Sequence, residues 1–271
     1  MTINEVQRLE EQVRFIRNTN RHDQWISYAE QLLSVDPTNW LGFLTLGQGL
    51  NNTFSRYDEL ADVCERALRH YPSDPIFYVM YAHVFFALGE KCYMNARDLL
   101  LEAIRIDPEF SAAYRDLGEI YLINWEPERA LEYLSTAARL EPENAEYRAR
   151  RSLALLRSGR ARDAFEEVHT ALRIAPDDYQ VLNTVGMVLL FGGELDEAEK
   201  LLRRALEQFP TYEYFQRQLT NCLRERDDRA SRTAQGKPYT PLVRRQRGRK
   251  RFFDESRSDE APGRKWRSRL S

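Results

Sequence analysis

Residues 111–144 read SAAYRDLGEIYLINWEPERALEYLSTAARLEPEN, and this stretch decides the fold. Tyr114, Leu117 and Tyr121 recur at spacings of three and four, and so do Ala130, Leu134 and Ala137. Such periodicity describes two successive amphipathic helices. Gly118, Ala130 and Ala137 are small, so nothing on them holds paired helix backbones apart. Pro142 closes the stretch, because proline cannot continue a helix interior.

The same pattern extends in both directions. Pro37, Pro72, Pro108, Pro142, Pro176 and Pro210 follow one another with gaps of 35, 36, 34, 34 and 34 residues. Five residues before the later prolines stand Ala67, Ala103, Ala137, Ala171 and Ala205, with Leu32 in the first unit. Ala96, Ala130, Ala164 and Ala198 lie twelve residues before theirs. Upstream come pairs of an apolar and a small residue: Leu46-Gly47, Tyr81-Ala82, Leu117-Gly118 and Val185-Gly186. Gly89, Gly159 and Gly193 fall where one helix turns into the next, a place that favours positive φ. One such hairpin cannot bury its own apolar stripe, but stacked neighbours can.

With this phasing the sequence resembles the tetratricopeptide repeat family. Tyr114, Leu117, Gly118, Tyr121, Ala130, Leu134, Ala137 and Pro142 match the family order of aromatic, Leu-Gly, Tyr, Ala, large apolar, Ala and Pro. Residues 179–212 match nearly as well through Val185, Gly186, Ala198, Leu202, Ala205 and Pro210. The resemblance implies an all-α, right-handed superhelical solenoid of six helix hairpins over residues 1–228. Units are expected at 6–39, 40–74, 75–110, 111–144, 145–178 and 179–212, with a capping helix at 213–227. The first unit is the poorest match, having Val13 in place of the glycine and Trp25 in place of the alanine. One extra residue near 51–58 and two near 89–95 predict widened turns.

The formal net charge of −2 over 271 residues averages two opposite parts. Residues 229–271 hold fourteen Lys and Arg against four Asp and Glu, a charge of +10, which leaves −12 on residues 1–228. That second part is poor in apolar residues and is expected to be disordered unless bound. No apolar run approaches the roughly 18–20 residues of a membrane helix. The start, Met1-Thr2-Ile3-Asn4-Glu5, lacks the basic and apolar stretches of a secretory signal. Cys64, Cys92 and Cys222 are odd in number and far apart, so a reducing compartment is expected. The expected location is cytoplasmic, or nuclear if the source has a nucleus.

The resemblance implies that the first helix of each hairpin lines a concave, partner-binding groove. By position its residues are Leu44, Gln48 and Asn52 in the second unit, and Val79, His83 and Phe86 in the third. Arg115, Glu119 and Leu122 follow in the fourth, Leu156 in the fifth, and Asn183, Met187 and Leu190 in the sixth. Apolar positions with scattered amides suit a peptide with apolar anchors, although several would equally serve to pack neighbouring hairpins. The Lys and Asn set with which some family members grip a terminal carboxylate is missing: Glu10 and Arg14 stand in the first unit, and Arg115 and Glu119 in the fourth. Arg148, Arg150, Arg151 and Arg157 crowd the fifth unit. They read either as an anion patch or as long stems over apolar surface, with Glu141, Glu143 and Glu146 at hand to neutralise them.

Catalysis finds little support. His22, His70, His83 and His169 lie in separate units without metal-ligand spacing, and there is no glycine-rich phosphate loop. No cofactor or metal is expected. In the basic part, Arg244, Arg245, Arg247, Arg249, Lys250 and Arg251 precede Phe252 and Phe253, and Arg264, Lys265, Trp266 and Arg267 form a second cluster. Arginine with interleaved aromatics suits nucleic acid, an anionic membrane surface or an acidic protein surface. The sequence therefore predicts a non-enzymatic interaction scaffold with a basic tether. A nucleic-acid adaptor, and a regulatory subunit of an enzyme or of a secretion or pilus assembly, are the alternatives.

Overall fold

The structure is a computed structural model and describes residues 3–19, 21–53, 56–89 and 92–242. These residues form α-helices joined by turns, with no strand among them. Two compact units divide between Ala113 and Tyr114.

The first unit holds three hairpins. They pair α1 (Ile3–Ile16) with α2 (His22–Val35), α3 (Trp40–Asn51) with α4 (Tyr57–His70), and α5 (Pro75–Leu88) with α6 (Tyr93–Ile106). The turns α3–α4 and α5–α6, where the sequence carries its extra residues, are longer than the hairpin turns of the second unit, and so is the turn α1–α2. The first hairpin departs from the repeat pattern without losing its packing. Val13 is buried with Leu9, Leu32 and Leu41. The Trp25 indole N–H donates to the carbonyls of Ile16 at 2.9 Å and Thr19 at 3.1 Å, and so ties α2 to the end of α1.

In the second unit, α7 (Ser111–Ile123, which starts just before the division) precedes α8 (Pro127–Leu140). The hairpins α9 (Ala145–Arg157) with α10 (Ala161–Ile174) and α11 (Tyr179–Gly192) with α12 (Leu195–Gln208) follow, and α13 (Glu213–Ala234) closes the unit against α11 and α12.

Each unit repeats one local solution. The proline turn between hairpins places an Asn or Asp at the start of the next helix: Asn39, Asp74, Asn144 and Asp178 accept from backbone N–H groups of α3, α5, α9 and α11. The proline carbonyls also find donors. The Tyr78 hydroxyl serves Pro72, Arg148 serves Pro142, Arg204 serves Pro176 and Gln216 serves Pro210. In the core, an added Cβ on Gly118 would lie 2.4 Å from Leu134 Cγ, so that pair of helices packs at a separation only glycine permits. Leu117, Leu134 and Leu202 are fully buried, and each contributes about 2 kcal/mol by leaving water.

α13 corrects the expected end of the ordered body. The sequence reading stopped the capping helix at 227 and began a disordered part at 229, but the helix runs on to Ala234. Phe215, Gln218 and Cys222 anchor its first half, and Arg226 pairs with Glu199. After Ala234 the chain turns at Gly236, with φ of 67°, and the Lys237 amide donates to the Arg232 carbonyl at 2.8 Å. Tyr239 and Pro241 then lie over Gly193, so close that a Cβ there would be 3.2 Å from Pro241 Cγ. Arg229 lies 5.5 Å over the Tyr239 ring and donates to the Gly193 carbonyl at 3.4 Å. Ion pairing within the helix, as in Arg232 to Asp228 at 2.9 Å, supports the added turns.

Candidate functional site: the inner face of the second unit

The first helices of successive hairpins touch through side chains twenty-seven to thirty-five residues apart. Arg115 reaches Glu146 at 3.4 Å, and Arg150 reaches back to Glu119 at 2.5 Å and forward to Gln180 at 3.4 Å. Gln218 donates to Asn183 Oδ1 at 2.7 Å, and the Tyr214 hydroxyl donates to Met187 Sδ at 3.0 Å. Residues of α7, α9, α11 and α13 thus line one face within this unit.

Its centre is an ion-pair ladder. Arg115 pairs with Asp116 at 2.7 Å as well as with Glu146, and Arg150 adds Glu146 at 2.8 Å. Burial works against the charge on Arg115, but Asp116 and Glu146 more than reverse it, so its pKa rises above the ordinary value. Arg150 rises too: burial opposes its charge, and Glu119 and Glu146 outweigh the burial. Half-buried pairs of this kind fix the register of neighbouring hairpins, because removing one partner leaves the other charge desolvated.

The expected groove residues divide by burial. Leu44, Val79, Leu122, Leu156 and Leu190 are between 2 and 6% exposed, so they pack hairpins and offer no surface to a partner. Arg115, Glu119, Asn183 and Met187 join the inner face just described. In the first unit, Gln48 accepts from Arg17 at 2.9 Å, His83 lies 3.3 Å from Asn51, and Phe86 sits half-buried beside His83 and Tyr93. Asn52 is exposed, 3.3 Å from His22.

Reading Arg148, Arg150, Arg151 and Arg157 as an open anion patch is corrected. Arg148 and Arg151 both pair with Glu167, at 3.4 and 3.2 Å, and Arg150 is held by Glu119 and Glu146. Arg157 donates to the Leu122 carbonyl at 2.7 Å, with its guanidinium carbon 4.6 Å from the centre of the Trp125 ring. Of the three acceptor carboxylates, Glu146 lies on α9 and Glu167 on α10 of the same unit, while Glu119 lies on α7, beyond a reading of the fifth unit alone. Arg244, Arg245, Arg247, Arg249, Lys250, Arg251, Phe252, Phe253, Arg264, Lys265, Trp266 and Arg267 lie outside the described residues.

Sequence reasoning missed Trp125. It has φ of 60° and stands where Gly89, Gly159 and Gly193 have 90°, 87° and 89°. The Glu126 amide bonds to the Tyr121 carbonyl at 2.9 Å, just as Arg160 does to Leu155 and Glu194 to Leu189. The helix end is therefore the same motif, with tryptophan replacing glycine in left-handed backbone at a cost of about 1–2 kcal/mol. The available signal was its place thirty-four residues before Gly159. Two depressions also went unforeseen: one of about 710 Å³ between α1 and α2 beside the exposed Phe15, and one of about 450 Å³ between Leu172 and Leu201 on α10 and α12.

Among the described residues no three His, Cys, Asp or Glu side chains converge on a metal-sized site, and no helix is long and apolar enough to cross a membrane.

Known proteins share this arrangement of stacked helix hairpins. The family model described as the cilia and flagella-associated protein 70 C-terminal domain, a tetratricopeptide model, matches residues 49–238. The chain belongs to this tetratricopeptide family. Among solved structures, TTC0263, a tetratricopeptide protein of Thermus thermophilus, is similar with a TM-score of 0.60 and 21% identity over 68% of this chain and 99% of its own. PilF of Pseudomonas aeruginosa gives 0.58 and 16% over 78% of this chain and 95% of its own. Yeast Tom70 gives 0.60 and 18% over 84% of this chain, which spans 48% of Tom70. These likenesses establish the fold. Comparison with curated protein sequences gives no match. A tetratricopeptide fold is generally a protein interaction scaffold, and this chain shares it.

Proposed function

We propose that the chain is a non-catalytic scaffold that captures a segment of a partner protein on the inner faces of its hairpins. The observation that carries this reading is the continuous inner face of α7, α9, α11 and α13, on which Glu119, Arg150, Asn183, Met187 and Tyr214 present half-exposed polar and aromatic groups. Hairpins held in register by cross-helix pairs present such a face with little ordering left to do on binding. The matched family takes its name from a protein of cilia and flagella, which makes a ciliary or flagellar assembly the first place to seek the partner. Residues 244–251, with six Lys and Arg, would add a tether to an anionic surface.

Affinity capture from native extract tests this. Met187→Glu and Phe86→Glu alter half-buried positions, so both should abolish capture while the helical circular dichroism is kept. Capture that survives both substitutions rules out the inner faces. A chain ending at Leu242 should keep its partner and lose only salt-sensitive retention.

A further inference from the structure

Arg17 in the first unit is held differently from the arginines of the second. Arg115, Arg148, Arg150 and Arg151 each meet a carboxylate. Arg17, half-buried just past the end of α1, donates to the neutral side chain of Gln48 on α3 at 2.9 Å. Among the described residues no carboxylate pairs with it. Burial lowers its pKa and no acidic neighbour restores it, whereas Asp116 and Glu146 lift that of Arg115. The charges closest to it along the chain are already balanced. Glu10 pairs with Arg14 at 3.1 Å, and the exposed Arg21 and Asp23 offset each other. Across the α3–α4 turn, Arg56 pairs with Glu59. What lacks a counter-charge is this one guanidinium, not the unit as a whole. A partly desolvated cation of this kind gains from an anion placed beside it.

The groups around Arg17 are set as donors. Gln48 turns its amide oxygen to Arg17, which leaves its amide N–H groups directed elsewhere. One turn further along α3, the amide nitrogens of Asn51 and Asn52 lie 3.3 Å from Nδ1 of His83 and of His22. These three contacts fix the last turn of α3 against its neighbours. Phe86, three residues beyond His83 on α5, is half-buried with its ring centre 5.9 Å from that of Tyr93. It supplies apolar surface on the next first helix.

We propose that Arg17 and the Gln48 amide bind an Asp or Glu side chain of a partner protein, and that a nearby apolar residue of the same segment seats on Phe86. This deepens the inner-face reading of function and rests on it. A lone half-buried guanidinium suits one negative charge, while a phosphate monoester, with nearly two, would leave charge unmatched. Packed helices stand about 8–10 Å apart, and an extended chain advances about 3.3 Å per residue. The acid and the apolar residue should therefore be about three positions apart. Glu10 and Arg14 satisfy each other on α1 and leave the carboxylate to Arg17.

Selection of short random segments, displayed internally on phage, against the full-length protein tests the site. Segments whose binding is lost on Phe86→Glu should carry Asp or Glu about three positions from Leu, Ile or Phe. Arg17→Gln should weaken them about tenfold, and so should replacing the segment's acid by its amide. The two changes together should cost little more than either alone. Gln48→Glu gives Arg17 a carboxylate of its own, so it should weaken the same segments about as much while the urea midpoint holds or rises. Both positions are half-exposed, and the helical circular dichroism should be kept. The proposal is overturned by Phe86-sensitive segments without an acid at a fixed place, by binding unmoved on Arg17→Gln or Gln48→Glu, or by costs of Arg17→Gln and of the acid's replacement that simply add. Where binding is still lost on Phe86→Glu, the inner-face reading survives that failure. Where no selected segment responds to Phe86→Glu or Met187→Glu, both fall.

Discussion

Arg150 and Glu119 are 2.5 Å apart although thirty-one residues of chain separate them. The pair crosses from α9 to α7, and Arg150 continues to Glu146 on its own helix and to Gln180 on α11. One side chain thus ties three first helices together. Arg150→Ala should destabilise the protein by about 1–3 kcal/mol, between the range of exposed pairs and that of fully buried ones. A double-mutant cycle with Glu119→Ala, read by denaturant unfolding, should return a coupling of about 1 kcal/mol or more. A coupling near zero would mean that the register is set by apolar packing alone.

Gly118 and Gly89 predict two different penalties for the same change. Gly118→Ala drives a methyl toward Leu134 Cγ at 2.4 Å, an overpacking that costs about 1–3 kcal/mol. Gly89→Ala meets no neighbouring atom among the described residues, but its φ of 90° strains any side chain, and about 1 kcal/mol is expected. Thermal unfolding separates the two. A compensating Leu134→Ala should recover part of the Gly118→Ala loss, and no second-site change of that kind exists for Gly89→Ala.

The return of the chain over Gly193 is separately testable. Tyr239→Ala removes the ring under Arg229, and Gly193→Ala adds an atom 3.2 Å from Pro241 Cγ. Both should speed hydrogen exchange at the Lys237 amide and expose residues 235–242 to protease, with α9 and α10 unaffected. Unchanged exchange at Lys237 would show that the turn at Gly236 holds without the Tyr239 contact.

Alkaline pH should weaken the fold. Burial pushes the Cys222 thiol from an ordinary 9.0 up to about 11, and burial raises Cys64 as well. Folding therefore holds protons that the unfolded chain releases. This stability is fully present below about pH 9 and is lost as pH rises toward 11. Urea unfolding across that window should show stability falling by up to about 1.4 kcal/mol per pH unit for each such group. Cys222→Ala should flatten the slope. A slope unchanged by that substitution would assign the effect to other groups, such as Tyr214.

Much of the fold was legible because helix pairing writes itself locally. Gly118 against Leu134, and the alanines five residues before the five later repeat prolines, are spaced by the geometry that buries them. The site was legible only in part. Position along a first helix named candidate groove residues, but not that Leu44, Leu122 and Leu156 are closed over by neighbours. Nor could the fifth unit alone reveal that Glu119 neutralises Arg150, since Glu119 sits on α7 and becomes adjacent only after stacking, whereas Glu167 lies on the fifth unit's own second helix. Trp125 was hidden for another reason. Left-handed backbone is inferred from glycine, and a tryptophan that adopts it carries no mark beyond its place in the repeat.

The fold-back at Gly236 also decides where the last described residue, Leu242, is placed. A helix of twenty-two residues spans about 33 Å, and left straight it would release the Arg-rich segment from its far end. Because Tyr239 and Pro241 lie against Gly193, the chain departs beside the α11–α12 turn instead. Whatever the residues from 243 onward engage is then sampled at an effective concentration set by this fixed origin. A ligand held by that segment and one held by the second unit would meet as neighbours on one molecule and not as independent solutes.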